Sequence, residues 1–293
     1  MGSHAPRPTR GQLVALHGEL NDFGYSVSLS KVCRWFEMPR SSLYYQPKLG
    51  PVKQESACNR DLEQKMREVI DKHPSYGYRM IWAMLMVIHN LKVNRKRVYR
   101  LYVKNNWQIR TKPKGGRPRA QKWSSRTDAP NVRWAIDTTH IFSGRDGWAH
   151  LTCIIDCFNR EIVGWCMSRR GISKVAAAAL EDGLIKRGIT ANVSNLILRS
   201  DNGLIFGAKT FANVVTRHDL KQEFITPYTP DQNGMIERFF LTLKQESVWA
   251  RNFQSYDQAF DAIANWIDYY NTQRPHSALG YRSPVDFNQP LAA

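Results

Sequence analysis

The sequence predicts an α/β fold: a mixed five-stranded sheet of order βββαβαβα, preceded by all-α segments of helix-turn-helix type. Three observations carry that prediction. Residues 132–249 read as three short strand runs in succession and then as helices alternating with strands; residues 9–105 show apolar positions recurring every three to four residues; and the excess charge lies in the front half alone. Of 293 residues, 42% are apolar and 23% charged, a globular composition that excludes a wholly disordered chain. No stretch approaches the roughly eighteen uninterrupted apolar residues of a membrane span, and the N-terminus lacks a basic-then-apolar leader pattern, so a soluble, non-exported protein is expected.

Charge is the informative quantity. The formal net charge is +17, yet residues 1–131 hold 25 Lys and Arg against 9 Asp and Glu, while residues 132–293 hold 17 against 16. A basic front joined to a balanced back is the footprint of a nucleic-acid-binding region attached to something else, because Lys and Arg that neutralise phosphates release counterions. An anionic membrane surface is the weaker alternative. Five cysteines (Cys33, Cys58, Cys153, Cys157, Cys166) make an odd count without a C-x-x-C pair, which fits buried thiols in a reducing compartment and argues against a zinc site.

The elements follow in order. Leu13, Leu16, Leu20 and Phe23 form an apolar stripe over 9–23; Ser30 is placed to cap a helix over 31–36; Met38-Pro39 breaks it; and a further helix begins at Arg40. That is a helix-turn-helix pattern over residues 1–50, which would set Arg40, Ser41 and Ser42 against DNA, with a packing hairpin as the alternative. Residues 56–110 read as a second helical domain: helices over 61–72 and 79–89, and a third capped by Asn94. The third carries Arg95, Lys96, Arg97, Arg100 and Lys104 on one side and Val98, Leu101 and Tyr102 on the other, as expected if one face sits on a core and the other on phosphates rather than only in solvent. Residues 111–131 are a Pro-, Gly- and Ser-rich basic linker in which Arg117 could enter a minor groove or serve a flexible tether.

In the core region, 132–250, strand runs 132–141, 148–156 and 160–167 form an antiparallel meander, and the alternation that follows demands parallel pairing with both sheet faces covered. A helix with Ala259, Phe260, Ile263, Trp266, Ile267 and Tyr270 at helical spacing opens a C-terminal extension, 251–293, in which His276 reads as structural.

Three carboxylates stand out by context. Asp137 lies inside an apolar strand, where burial without a partner is costly; Asp201 follows a strand directly, where α/β sheets place their ligands; Glu237 lies in the first turn of a helix. Hard oxygens converging from two strand ends and a helix suit one or two Mg²⁺ ions for phosphoryl transfer. On an α-helix Lys244 returns to within roughly 20° of Glu237, so it faces the same substrate, while Glu246 falls on the opposite side.

Asp137, Asp201 and Glu237, with 35 residues between the last two, resemble the acidic triad of the retroviral-integrase-like transposases. Residues 60–293 more closely resemble the second-frame product of bacterial copy-out insertion elements. The resemblance rests on Tyr76-Gly77-Tyr78-Arg79, on residues 93–98, on Arg199-Ser200-Asp201-Asn202-Gly203, on Gln232-Asn233-Gly234-Met235-Ile236-Glu237, and on the stretch 270–284 with Arg274-Pro275-His276.

This resemblance implies a ribonuclease-H-like core that nicks element ends and joins a 3′-hydroxyl to a phosphodiester. The three carboxylates would ligate Mg²⁺, with Mn²⁺ as substitute and two ions in the DNA-bound state, and Lys244 and Arg238 would hold DNA. It also implies terminal inverted repeats and target DNA as partners, a homo-oligomer of at least two chains, an upstream first-frame protein as a further partner, and a bacterial, nucleoid-associated cytoplasmic setting. Two departures are visible: no His/His/Cys/Cys zinc module is present, and no first-frame segment with coiled-coil heptads. A ribonuclease-H-type nuclease that only hydrolyses, and a DNA-binding regulator without catalysis, are the competing readings.

Overall fold

A computed structural model of the chain describes residues 8–44, 57–109, 126–189, 195–226 and 230–288, so Arg117 lies outside the described residues. Chain contacts divide it into two units, Met1–Arg60 and Asp61–Ala293.

The first unit contains α1 (Arg10–Asp22), α2 (Leu29–Trp35) and α3 (Arg40–Tyr44). Thr9 and Gln12 form a reciprocal capping box that satisfies two orphan N–H groups of α1. Leu13, Val32 and Cys33 make its small core, with Leu16, Leu20 and Met38 packed around them. Two sequence expectations need correction here. Phe23, assigned to the apolar stripe, is the C-cap residue and is 79% exposed. α2 begins at Leu29, one residue ahead of Ser30, with Ser28 at the N-cap position, extended at φ −71 and ψ 144 and making no side-chain cap hydrogen bond, while Leu29 packs on the core.

The second unit begins with α4 (Ala57–Lys72), α5 (Tyr78–Val87) and α6 (Arg95–Lys104). Leu62, Met66, Ile81, Met84, Val98 and Leu101 interlock as their common core. The Asn94 side chain accepts from the Lys96 N–H at 2.8 Å and caps α6.

Next come β1 (Arg133–Phe142), β2 (Trp148–Asp156), β3 (Ile162–Ser168), α7 (Ser173–Lys186), β4 (Ile197–Ser200), α8 (Leu204–Gly207), α9 (Lys209–Arg217), β5 (Lys221–Phe224), α10 (Gly234–Leu243), α11 (Tyr256–Thr272) and α12 (Pro284–Phe287). The sheet order is β3-β2-β1-β4-β5, antiparallel in the meander and parallel from β1 to β5. This is the mixed five-stranded, ribonuclease-H-like arrangement.

Both faces are covered, as parallel pairing requires. Trp134, Ile136 and Leu198 pack under α7 and α9, whereas Ala135, Leu151 and Cys153 pack under α10 and α11. Gly164 of β3 is obligatory, since a Cβ there would run into the Ala179 carbonyl and the Gly183 backbone of α7.

Candidate active site and nucleic-acid interface

The sheet register brings the first two carboxylates together. β1 and β4 pair in parallel as Arg133 with Ile197, Trp134 with Leu198 and Ala135 with Arg199, a constant offset of 64 residues. Carried on by two residues, the same offset sets Asp201 level with Asp137 on adjoining strands, whose spacing is about 4.8 Å. Asp137 shares the face of Ala135, the face covered by α10, because side chains two apart on a strand point the same way. Asp137 accepts from the Thr138 N–H at 2.7 Å, and Asp201 accepts from the Gly203 N–H at 2.9 Å. In each, one oxygen is held by backbone while the other accepts no hydrogen bond among the described residues.

Glu237 lies in the first turn of α10, exposed, on the element that covers this face. A clamp that sequence reasoning missed sets where α10 begins. The largely buried Arg199 guanidinium, paired with Glu223 at 2.9 Å, donates to the Gln232 carbonyl at 2.8 Å, and Gln232 in turn accepts from the Thr226 N–H at 2.9 Å. Asn202 donates to the Ile225 carbonyl at 2.9 Å, tying the Asp201 turn to the end of β5. Both residues stand inside the sequence stretches singled out above, but only pairing across strands reveals their partners.

After Leu243 the helix changes type. Lys244–Val248 is a π-turn, closed by the Trp249 N–H on the Lys244 carbonyl at 2.7 Å, so the α-helix expected to carry both Glu237 and Lys244 gives way at Lys244 itself. The turn presents Glu246 to the tail. Glu246 is drawn into a bidentate pair with Arg274, at 2.6 and 3.0 Å, with side chains only 9% and 13% exposed. Tyr76 donates to Glu246 at 3.5 Å and bonds Tyr269 at 2.8 Å, and His73 stacks on both rings, so the α4–α5 connection joins the same cluster.

Electrostatics join the four predicted residues. The Asp137 carboxyl is pushed up to about 7, chiefly by desolvation with Asp201 and Glu237 adding to the rise, against the opposing Thr138 N–H and Lys244. Three carboxylates and one ammonium therefore share a field that disfavours a bare negative charge on Asp137. The donor set fits a hard divalent cation: oxygens only, two of them open, in mutual repulsion that a cation relieves. As they stand, no three His, Cys, Asp or Glu side chains among the described residues are gathered into a group that encloses an ion.

The remaining predicted contacts are distributed over both units. Arg40 and Ser41 are exposed at the start of α3. Arg95, Lys96 and Arg100 are exposed on α6, Arg97 is half-buried, and Val98, Leu101 and Tyr102 face the core. Arg95 also lies over the Trp82 ring at 5.9 Å. Arg238 is exposed on α10. No helix among the described residues is long and apolar enough to cross a membrane.

Comparison with known proteins gives this geometry a family. Two integrase core domain models match residues 127–230 and 218–284, together more than half of the chain, and an HTH-like domain model matches 58–115. The chain belongs to the integrase-core transposases of insertion elements. Transposase InsD for insertion element IS2 of Escherichia coli is 27% identical over 234 residues, 78% of each chain. The 39.2 kDa protein of insertion element IS476 of Xanthomonas euvesicatoria is 28% identical over 264 residues, 89% of this chain and 72% of its own. Among solved structures, a simian T-cell lymphotropic virus intasome chain aligns over 72% of this transposase and 76% of its own length, at 16% identity and a TM-score of 0.49. The integrase core implies a divalent-metal-dependent polynucleotidyl transferase, and the HTH-like domain with that core implies a DNA-binding, oligomeric transposase.

Proposed function

We propose that this transposase binds the ends of its insertion element, cleaves a strand and joins the freed 3′-hydroxyl to target DNA, with Asp137, Asp201 and Glu237 as catalytic metal ligands. One observation carries the assignment of residues: Asp137, half-buried in an apolar strand, shares its electrostatic field with Asp201, Glu237 and Lys244 together. A lone structural aspartate would have an Arg or a set of N–H donors to itself; this one has two further carboxylates.

The three side chains would hold Mg²⁺, or Mn²⁺ in its place, as two ions when DNA is bound; such ions supply activation of the attacking oxygen and stabilisation of the leaving one. The chain's own residues do the rest. Lys244 and Arg238 neutralise the phosphate brought to the carboxylates. The Arg199–Gln232 clamp keeps the start of α10 against β4, so that Glu237 does not have to be ordered at each turnover.

The same reading divides the chain into end-recognition regions over 1–50 and 56–110, a basic linker over 111–131, the catalytic core over 132–250 and a helical extension over 251–293. Arg40, Ser41, Arg95, Lys96, Arg97, Arg100 and Arg117 contact DNA, chiefly its phosphates. Pairing two element ends calls for at least a dimer on DNA, with the first-frame protein as a further partner, in the nucleoid-associated cytoplasm of a bacterium. The test is an Mg²⁺-dependent strand-transfer assay on element-end duplexes, with Asp137→Asn, Asp201→Asn and Glu237→Gln each checked for folding and DNA binding. Joined product lost in all three is expected. Cleavage without joining in the wild type would instead identify a nuclease, and binding without metal-dependent chemistry a regulator.

A further inference from the structure

A second concentration of charge lies on the flank of α10. Arg160, Arg238, Arg274 and His276 line one cavity of about 230 Å³, with Thr242 and Tyr270 among its other walls. At about 30 Å³ per water this is room for about seven, enough for a tetrahedral oxyanion and part of its hydration. The four residues come from the β2–β3 turn, α10 and the Arg274-Pro275-His276 stretch, and the reaction assigned above uses only Arg238.

The charges in this cavity are not balanced. Arg274 is committed to Glu246. Arg160 and Arg238 have no carboxylate within ion-pair distance among the described residues, so three guanidiniums share one carboxylate. His276 is 6% exposed and its Nε2 has no hydrogen-bond partner, although the ring serves the Tyr270 backbone through its other nitrogen. Burial drives the proton off this imidazole, and Arg274 and Arg160 both add to that, as expected where positive charge is in excess. Arg160 also sits at φ 64, a left-handed conformation that L side chains adopt at a cost.

We propose that Arg160 and Arg238, with Arg274 behind them and His276 as part of the wall, form an oxyanion pocket that seats a phosphate group of the DNA backbone on the flank of α10. Planar guanidinium forks match phosphate oxygens, and the half-buried Arg160 and the exposed Arg238, neither with a carboxylate partner among the described residues, leave their forks open to an anion at the cavity mouth. Arg238 follows Glu237 on α10, on a helix face about 100° away, so a phosphate held here would fix the strand along the flank of the helix that carries the third carboxylate. The shared chemistry is a phosphoryl oxyanion, either a DNA phosphodiester or free phosphate. The choice of DNA rests on the transposase reading; the pocket itself does not.

The test uses the full chain and reads binding alone, so it stands or falls apart from catalysis. Inorganic phosphate is titrated by thermal shift against chloride at equal ionic strength, on the wild type, Arg160→Asn and Arg238→Gln. Asn tolerates the left-handed backbone, and Arg238 is exposed, so neither change threatens folding. Saturable stabilisation of the wild type, weakened about tenfold or more in both variants, is expected. Element-end duplexes with one neutral methylphosphonate at successive linkages then identify the source. One linkage should cost the wild type about tenfold in affinity and Arg160→Asn little further, since the partner is already gone. Phosphate stabilisation without any such linkage would keep the pocket and overturn the DNA assignment. No saturable phosphate effect, with every linkage additive to Arg160→Asn, would overturn the proposal.

Discussion

Asp137→Asn should make the metal-free protein more stable while abolishing its activity. In the folded chain the Asp137 carboxyl keeps its proton up to about pH 7, against an ordinary value of 3.8. Between those values the folded state binds the extra proton, so stability falls as pH rises through that window and stays low above it. A shift of about three units corresponds to about 4 kcal/mol, a ceiling reached only if the site stays dry. Asparagine has no charge to desolvate and can still accept from the Thr138 N–H. Urea unfolding in a chelator at about pH 8 should therefore show the variant more stable than the wild type, by up to about 4 kcal/mol. At about pH 5 most of the difference should vanish. Adding Mg²⁺ at pH 8 should stabilise the wild type by mass action and leave the variant nearly unmoved. A variant less stable than the wild type at pH 8 in chelator, or a difference independent of pH, would refute the reasoning.

The buried pair makes a different prediction. Glu246→Gln leaves the Arg274 charge uncompensated and should cost about 3–5 kcal/mol in urea unfolding, whereas Glu246→Leu with Arg274→Met should recover most of that loss. Gly164→Ala should cost about 1–3 kcal/mol, because backbone of α7 rather than a movable side chain stands in the way; an unchanged unfolding midpoint would show that α7 yields. On α6, Lys96→Gln and Arg100→Gln should each flatten the slope of log affinity against log salt for element-end DNA by about one, with a similar loss on unrelated duplexes; an unchanged slope would remove α6 from the interface.

The sheet was legible in the sequence because its signals are local. The meander breaks at residues 144–147 and 159–160 where glycine and polar residues interrupt apolar runs, and the strands begin and end within two residues of those expectations. Asp137 could be singled out because a charge inside Trp134-Ala135-Ile136 has no local explanation, and the offset of 64 between β1 and β4 then supplies its neighbour. What sequence reading missed depends on partners far apart in the chain. Glu246 and Arg274 are 28 residues apart, and neither their pairing nor the π-turn that carries Glu246 can be registered by periodicity alone. The same holds for Arg199 and the Gln232 carbonyl, 33 residues apart. Ser30 falls inside α2 rather than before it, since Leu29 is already helical and packed on the small first core, which no cap preference encodes.

The central claim is that Asp137, Asp201 and Glu237 ligate the catalytic metal, and a change of ligand softness tests it most directly. Strand transfer on pre-cleaved element ends would be measured for Asp201→Cys in Mg²⁺ and in Mn²⁺, beside the wild type in both. A thiolate binds Mg²⁺ poorly and the softer Mn²⁺ better. Direct ligation predicts joining lost in Mg²⁺ and regained in part in Mn²⁺, with Asp201→Ala inactive in both. Joining in Mg²⁺ at the wild-type level, or an Asp201→Cys variant that stays as inactive as Asp201→Ala in Mn²⁺ while still folding and binding DNA, would contradict it.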